Sequence, residues 1–224
     1  MVLKLALFDC DGTLVDSQAA IVAAMEAGFA AVGRSAPSAE SIRRIVGLSL
    51  VEAVARLIPE EDAALHVEIA EAYKAAFQTN RLAGRHPEPL YPGVLAALDR
   101  LEEAGCVLGI ATGKSRRGLI AVLEHHGLRD RFVTLQTADF VPGKPHPEMV
   151  ERAMAEAGAD RPGTVMIGDT TFDMQMARNA RVSALGVTWG YHGEGELRET
   201  GAHRIVHDYG SLPDAVLGLM APTH

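Results

Sequence analysis

Apolar and polar positions alternate along this chain with two different periods. Leu3 to Phe8 is a short, nearly continuous apolar run that stops at acidic residues and Gly12. That pattern predicts a strand buried on both faces of a parallel sheet. From Ser17 to about Asn80 the sequence is rich in alanine, with apolar residues at helical spacing and no segment that reads as a strand. Within it Gly33 is placed to end a first helix, and Ser49 with Glu52 has the spacing of a capping box. Pro59 sits where a further helix through Tyr73 and Phe77 would begin. This stretch predicts a helical insert.

The segment Arg85 to Gly93 is crowded with prolines and reads as the connection back into the main domain. Strands are then expected at Cys106 to Ala111, Phe132 to Gln136, Thr164 to Ile167, Val182 to Val187 and His203 to Val206. Helices are expected between the earlier of them, at about Ser115 to His126, Pro147 to Ala157 and Phe172 to Asn179. Such alternation predicts an α/β fold: a doubly wound, Rossmann-like parallel sheet with helices on both faces, assembled from residues 1–16 and 90–224, with residues 17–89 inserted. Ligands of such folds sit at the carboxyl ends of the strands.

Composition narrows the function classes. With 21 basic and 29 acidic residues among 224 the net charge is −8, so nothing general attracts nucleic acid or a membrane surface. An anionic ligand must then be captured by a local positive field. Cys10 and Cys106 are too few for a disulfide framework or a cysteine zinc site, and the expectation is reduced thiols in a cytoplasmic protein. The apolar start is cut short by Asp9 and Asp11, which does not suit a signal peptide, and no stretch approaches the roughly 20 apolar residues of a membrane span.

Four polar groups fall at strand ends. In Asp9-Cys10-Asp11-Gly12-Thr13, side-chain alternation puts both carboxylates on one side and Cys10 on the other. Such a pair supplies a nucleophile with a general acid/base, or a site for a hard cation; a solvated strand end or helix cap explains it equally well. Thr112-Gly113-Lys114-Ser115 offers a hydroxyl, a glycine that lets backbone approach a ligand, and a helix start, or simply a turn with Ser115 as N-cap. The likeness to a phosphate-binding loop fails there for want of the earlier glycine. Prolines flanking His146 stiffen the loop carrying Lys144, with His146 itself read as a helix-start residue. Gly168-Asp169, with Asp173 four positions on, closes the set, and the alternatives are helix capping by Asp169 and a favourable helix-dipole placement of Asp173.

Taken in order, with an insert after the first group, these segments closely resemble the haloacid dehalogenase superfamily of phosphohydrolases. The resemblance implies that Asp9 is the nucleophile and forms an aspartyl-phosphate, and that Asp11 protonates the leaving group and then activates water. Mg²⁺ would be held by Asp9, Asp169 and the Asp11 backbone carbonyl. Thr112, Gly113 and Lys144 would bind the phosphoryl group, and Asp173 would orient Lys144 or metal-bound water. The cation answers a charge problem: a carboxylate about 4 Å from a dianionic phosphate meets repulsion on the order of 8 kcal/mol at an effective dielectric near 20.

A helical cap after the first motif is similar to the subgroup of phosphoglycolate phosphatases, β-phosphoglucomutases and some pyrophosphatases. Ile45-Val-Gly-Leu-Ser49 and Gly190-Tyr-His192 resemble the phosphoglycolate phosphatase branch, and Leu50 stands where the mutases carry an arginine. The expected substrate is thus a small phosphorylated metabolite such as phosphoglycolate, with a phosphotransferase or pyrophosphatase as alternatives. Asp11 argues against dehalogenation, because a departing halide needs no proton. A phosphate-accepting regulatory domain uses similar residues but has no helical insert after its first strand; a catalytically silent ligand-binding protein is the remaining alternative. Arg43, Arg44, Lys74, Arg81 and Arg85, with the Gly47–Ser49 loop, are the candidates for contact with the leaving group, although solvated helix charges are the plainer expectation for each arginine and lysine.

Overall fold

The computed structural model describes residues 3–220. Six strands form one all-parallel sheet: β1 (Lys4–Phe8), β2 (Cys106–Thr112), β3 (Phe132–Thr137), β4 (Thr164–Gly168), β5 (Ser183–Val187) and β6 (Arg204–Val206). Their spatial order is β3-β2-β1-β4-β5-β6. The order reverses between β1 and β4, so the crevice where such sheets bind ligands lies over those two carboxyl ends. Both sheet faces are buried, as the unbroken apolar runs require. Ala6 and Phe8 point into a core with α5 (Val94–Glu103), α6 (Arg116–His125) and α10 (Leu212–Leu219). Leu5 and Leu7 point into another with α7 (Glu148–Ala157), α8 (Thr171–Ala180) and Leu197 of α9 (Glu194–Thr200). Each fully buried leucine or phenylalanine among these stabilises the fold by roughly 1.5–3 kcal/mol.

Between β1 and α5 the chain is helical: α1 (Gln18–Ala31), α2 (Ala39–Arg44), α3 (Leu50–Leu57) and α4 (Ala63–Leu82). These helices gather their own apolar cluster around Met25, Phe29, Ile42, Val54 and Ile69. Gly33 follows the first helix with φ +70°. Two expected helix starts differ in detail. Ser49 is the N-cap of α3 but its hydroxyl makes no capping bond; the residue packs instead near Gly143 of the core. Pro59 lies in a turn, and α4 starts at Ala63, where the Asp62 carboxylate accepts a hydrogen bond from the Leu65 backbone N–H at 2.8 Å.

Helices α5, α9 and α10 occupy stretches where the hydrophobic pattern names no element. Two are only seven and eight residues long, too short for a period to stand out. No helix among the described residues is long and apolar enough to cross a membrane.

Candidate active site

The loop after β1 carries Asp9 and Asp11, and the end of β4 carries Asp169, so the strand reversal brings them together from distant parts of the sequence. Alternation past β1 holds as expected: both carboxylates face the crevice, while Cys10 is buried in the core as a free thiol. Gly12 makes the departure from the strand with φ +81°.

Asp9 is fixed through one oxygen and open at the other. Oδ1 accepts a hydrogen bond from the Cys10 backbone N–H at 2.7 Å and lies 2.8 Å from the Lys144 ammonium. Oδ2 is buried and has no partner. Lys144, fully buried, also stands 2.7 Å from Oδ1 of Asp173. Both contacts are close ion pairs rather than well-aligned hydrogen bonds. Burial alone would lower the lysine pKa; Asp173 and Asp9 outweigh it and hold the ammonium charged.

Asp173 serves a second purpose with its other oxygen. Oδ2 accepts from the Thr170 backbone N–H at 3.1 Å and from the Thr170 hydroxyl at 2.7 Å, completing a capping box at the start of α8. The N-cap is therefore Thr170 and not Asp169, so capping does not explain Asp169. Gly168 permits this arrangement, since a Cβ there would stand 2.3 Å from the Asp173 carboxylate carbon.

Asp169 is wholly buried. Its Oδ1 accepts from the Thr13 hydroxyl at 2.7 Å and its Oδ2 from the Tyr191 backbone N–H at 2.8 Å. Asp9, Asp169 and Asp173 bring carboxylate oxygens within 4.8 Å of one another. Burial, then repulsion by Asp9 and Asp173, pushes the Asp169 pKa well above the ordinary carboxylate range. Burial likewise raises Asp9 to about 6, against the pull of Lys144. Three buried carboxylates facing one ammonium leave uncompensated negative charge, and this donor set fits a hard divalent cation.

The other expected residues sit on the crevice rim. Thr112, at the end of β2, is buried, and its hydroxyl accepts from the Lys114 backbone N–H at 3.3 Å. Gly113 lies under the insert: a Cβ there would stand 2.4 Å from the Leu48 carbonyl oxygen and 2.6 Å from that of Gly47. The 47–49 loop thus rests directly on the core. Ser115 caps α6 by accepting from the Gly118 N–H, and His146 is an exposed helix-start residue.

A cavity of about 800 Å³ opens between the core and the helical insert, bounded by Asp9, Asp11, Thr112 and Gly113 on one side and by Ile21, Met25, Tyr73 and Phe77 on the other. Of the candidate cap cations, Lys74 and Arg81 reach this cavity, each paired with a carboxylate, Glu71 and Glu88 respectively. Arg43 and Arg85 are exposed and do not line it. Arg44 forms a bidentate pair with Glu196 on the core surface, at 2.8 and 2.5 Å.

Two contributors had no structural role assigned from the sequence. Lys114 reaches back to Asp11, at 2.8 Å, and to Glu88 of the return segment, at 2.9 Å. Gly190-Tyr191-His192, singled out only by resemblance, joins the halves: Tyr191 N–H holds Asp169, its hydroxyl meets that of Ser17 at 3.2 Å, and His192 Nε2 donates to the Arg44 carbonyl at 3.2 Å. Burial keeps the His192 pKa below the usual histidine value, consistent with a neutral ring whose Nδ1 accepts from the Thr171 N–H.

The fold and this grouping of carboxylates, threonine and lysine over a β1/β4 crevice define a class, and comparison with known proteins agrees. Residues 6–187 match the model of the haloacid dehalogenase-like hydrolase family. The protein named "Probable phosphatase IndB" from Dickeya dadantii is 36% identical over 219 residues, spanning 96% of this chain and 94% of that protein. A phosphoglycolate phosphatase from Rhodobacter capsulatus is 33% identical, spanning 95% and 96% respectively. A hydrolase from Pseudomonas syringae of known structure superposes with a TM-score of 0.83 at 25% identity, covering 97% of this chain and 100% of that one. The chain belongs to the haloacid dehalogenase-like hydrolase family.

Proposed function

We propose that the protein hydrolyses a small phosphomonoester through an aspartyl-phosphate on Asp9, and that residues 17–89 act as the cap over a core built from 1–16 and 90–224. The observation that carries this reading is the split environment of Asp9. One oxygen is pinned by the Cys10 N–H and Lys144, while the other, Oδ2, is buried and unpartnered on a residue that lines the cavity. An oxygen so placed is set to attack phosphorus in line.

In the first step a bond forms between Asp9 Oδ2 and phosphorus as the ester P–O bond breaks, and the departing oxygen takes a proton from Asp11. In the second, Asp11 takes a proton from water as that water displaces phosphate from Asp9. Lys144, Thr112 and the Gly113 backbone hold the phosphoryl oxygens, and Asp173 keeps Lys144 in place. Asp9, Asp169 and the Asp11 backbone carbonyl would hold Mg²⁺, which supplies the positive charge that lets a carboxylate approach a phosphate dianion.

The names of the relatives make phosphoglycolate the first ester to test. Purified protein with Mg²⁺ is assayed for phosphate release against a panel of phosphoglycolate, other small metabolite esters and aryl phosphates. Hydrolysis with a clear preference for one small monoester is expected; no phosphate release from any ester would contradict the proposal.

A further inference from the structure

Lys114 is a buried cation that the reaction as described does not use. Its side chain is 8% exposed and bridges Asp11 Oδ1, at 2.8 Å, to Glu88 Oε1, at 2.9 Å. Its ammonium also sits 4.9 Å from the centre of the Phe77 ring on α4. Glu88 is itself braced: its other carboxylate oxygen pairs with Arg81 of α4 at 2.5 Å, and its backbone carbonyl accepts from His126 Nε2 at 2.8 Å. Burial would lower the Lys114 pKa, but Asp11 and Glu88 outweigh it, so the bridge is charged.

Two features separate this cluster from a plain staple. Buried ion pairs hold a fold together poorly, because desolvation offsets most of the attraction and an apolar replacement of similar volume often serves as well. The cluster also ends on Asp11, whose carboxylate would otherwise be free to turn in a large cavity. Proton transfer depends on that carboxylate lying within hydrogen-bond reach of the departing oxygen.

We propose that Lys114 is a positioning residue for Asp11: braced by Glu88 and covered by Phe77, it holds the acid/base carboxylate toward the departing oxygen. Leaving-group protonation is thereby tied to the end of cap helix α4 and to the return segment. This rests on the role given to Asp11 above.

The test compares kcat/KM for 4-nitrophenyl phosphate, whose leaving group departs readily without a proton, with that for phenyl phosphate, whose leaving group needs one, both with Mg²⁺. Lys114→Met should lower kcat/KM for phenyl phosphate at least tenfold more than for 4-nitrophenyl phosphate. Glu88→Gln, which removes only the brace, should shift the ratio in the same direction by a smaller factor. An equal loss on both esters, or wild-type behaviour of Lys114→Met, would overturn the positioning role and leave the phosphatase reading intact. If the wild type acts on neither aryl ester, the same ratio is read on its best metabolite ester against acetyl phosphate, whose acetate departs without a proton; phosphate release from none of these would overturn the phosphatase reading and this role with it. Should Lys114→Met lose its cooperative thermal transition, Glu88→Gln decides by the same ratio.

Discussion

A Cβ placed on Gly190 would stand 2.2 Å from Oδ2 of Asp169, so the backbone of the 190–192 segment forms the wall against which that carboxylate rests. The Tyr191 N–H then holds the same oxygen at 2.8 Å. Seat and donor lie on adjacent residues, and together with the Thr13 hydroxyl on the other oxygen they hold the Asp169 carboxylate in place.

Gly190→Ala should therefore displace Asp169 rather than unfold the chain. The expected effect is at least a tenfold higher Mg²⁺ concentration for half-maximal activity, with activity recovering as Mg²⁺ is raised. Titration of activity with Mg²⁺ checks this, and an unchanged midpoint would remove Asp169 from cation binding.

Asp9 gives a pH prediction for the metal-free protein. Burial raises its pKa from an ordinary 3.8 to about 6. The folded state therefore holds the proton more tightly than the unfolded state, and the stability this contributes is full below about pH 4 and is lost as pH rises through 6. A shift of that size corresponds to about 3 kcal/mol. With chelator present, Asp9→Asn should gain stability relative to wild type between pH 4 and pH 7, and added Mg²⁺ should shrink the difference at pH 7. Thermal unfolding midpoints across that range check it; a difference that does not change with pH would contradict it.

Gly113 reports on the cap. Because a Cβ there would stand 2.4 Å from the Leu48 carbonyl oxygen, Gly113→Ala should lift the 47–49 loop from the core. Remote contacts to the leaving group would then be lost, so kcat/KM for the preferred small ester should fall at least tenfold more than for 4-nitrophenyl phosphate. Lys144→Ala, which strips the phosphoryl site itself, should damage both substrates about equally. An unchanged ratio in Gly113→Ala would mean that the loop does not read the substrate.

The parts of this arrangement legible in the sequence are those set by period and by strand ends. The apolar run of β1 with Asp9 just beyond it, and the β4 run ending at Gly168-Asp169, place two carboxylates at carboxyl ends before any contact is known. Apart from the resemblance, the sequence places Asp173 at a helix start only as a favourable charge; the structure gives its two oxygens different partners, one completing the capping box of α8 and the other facing Lys144. Lys114 was not legible, since a lysine side chain in a loop has no periodic direction and its partner Glu88 lies in an irregular, proline-rich stretch. Ser49 had the spacing of a capping residue, but spacing carries no information about the core surface that its side chain meets, at Gly143. Arg43 and Arg44 are adjacent on the same helix, yet only Arg44 meets a core partner, Glu196, which no local pattern announces.

The central claim, that Asp9 is the nucleophile, is tested most directly by the turnover of Asp9→Asn with saturating Mg²⁺ on the best ester of the wild type. The amide is nearly isosteric and Lys144 keeps its contact with Asp173, so the variant should fold with a cooperative thermal transition. Turnover should fall by several orders of magnitude, as expected when the covalent step is removed. A folded Asp9→Asn variant that keeps more than a few per cent of wild-type turnover would contradict the account.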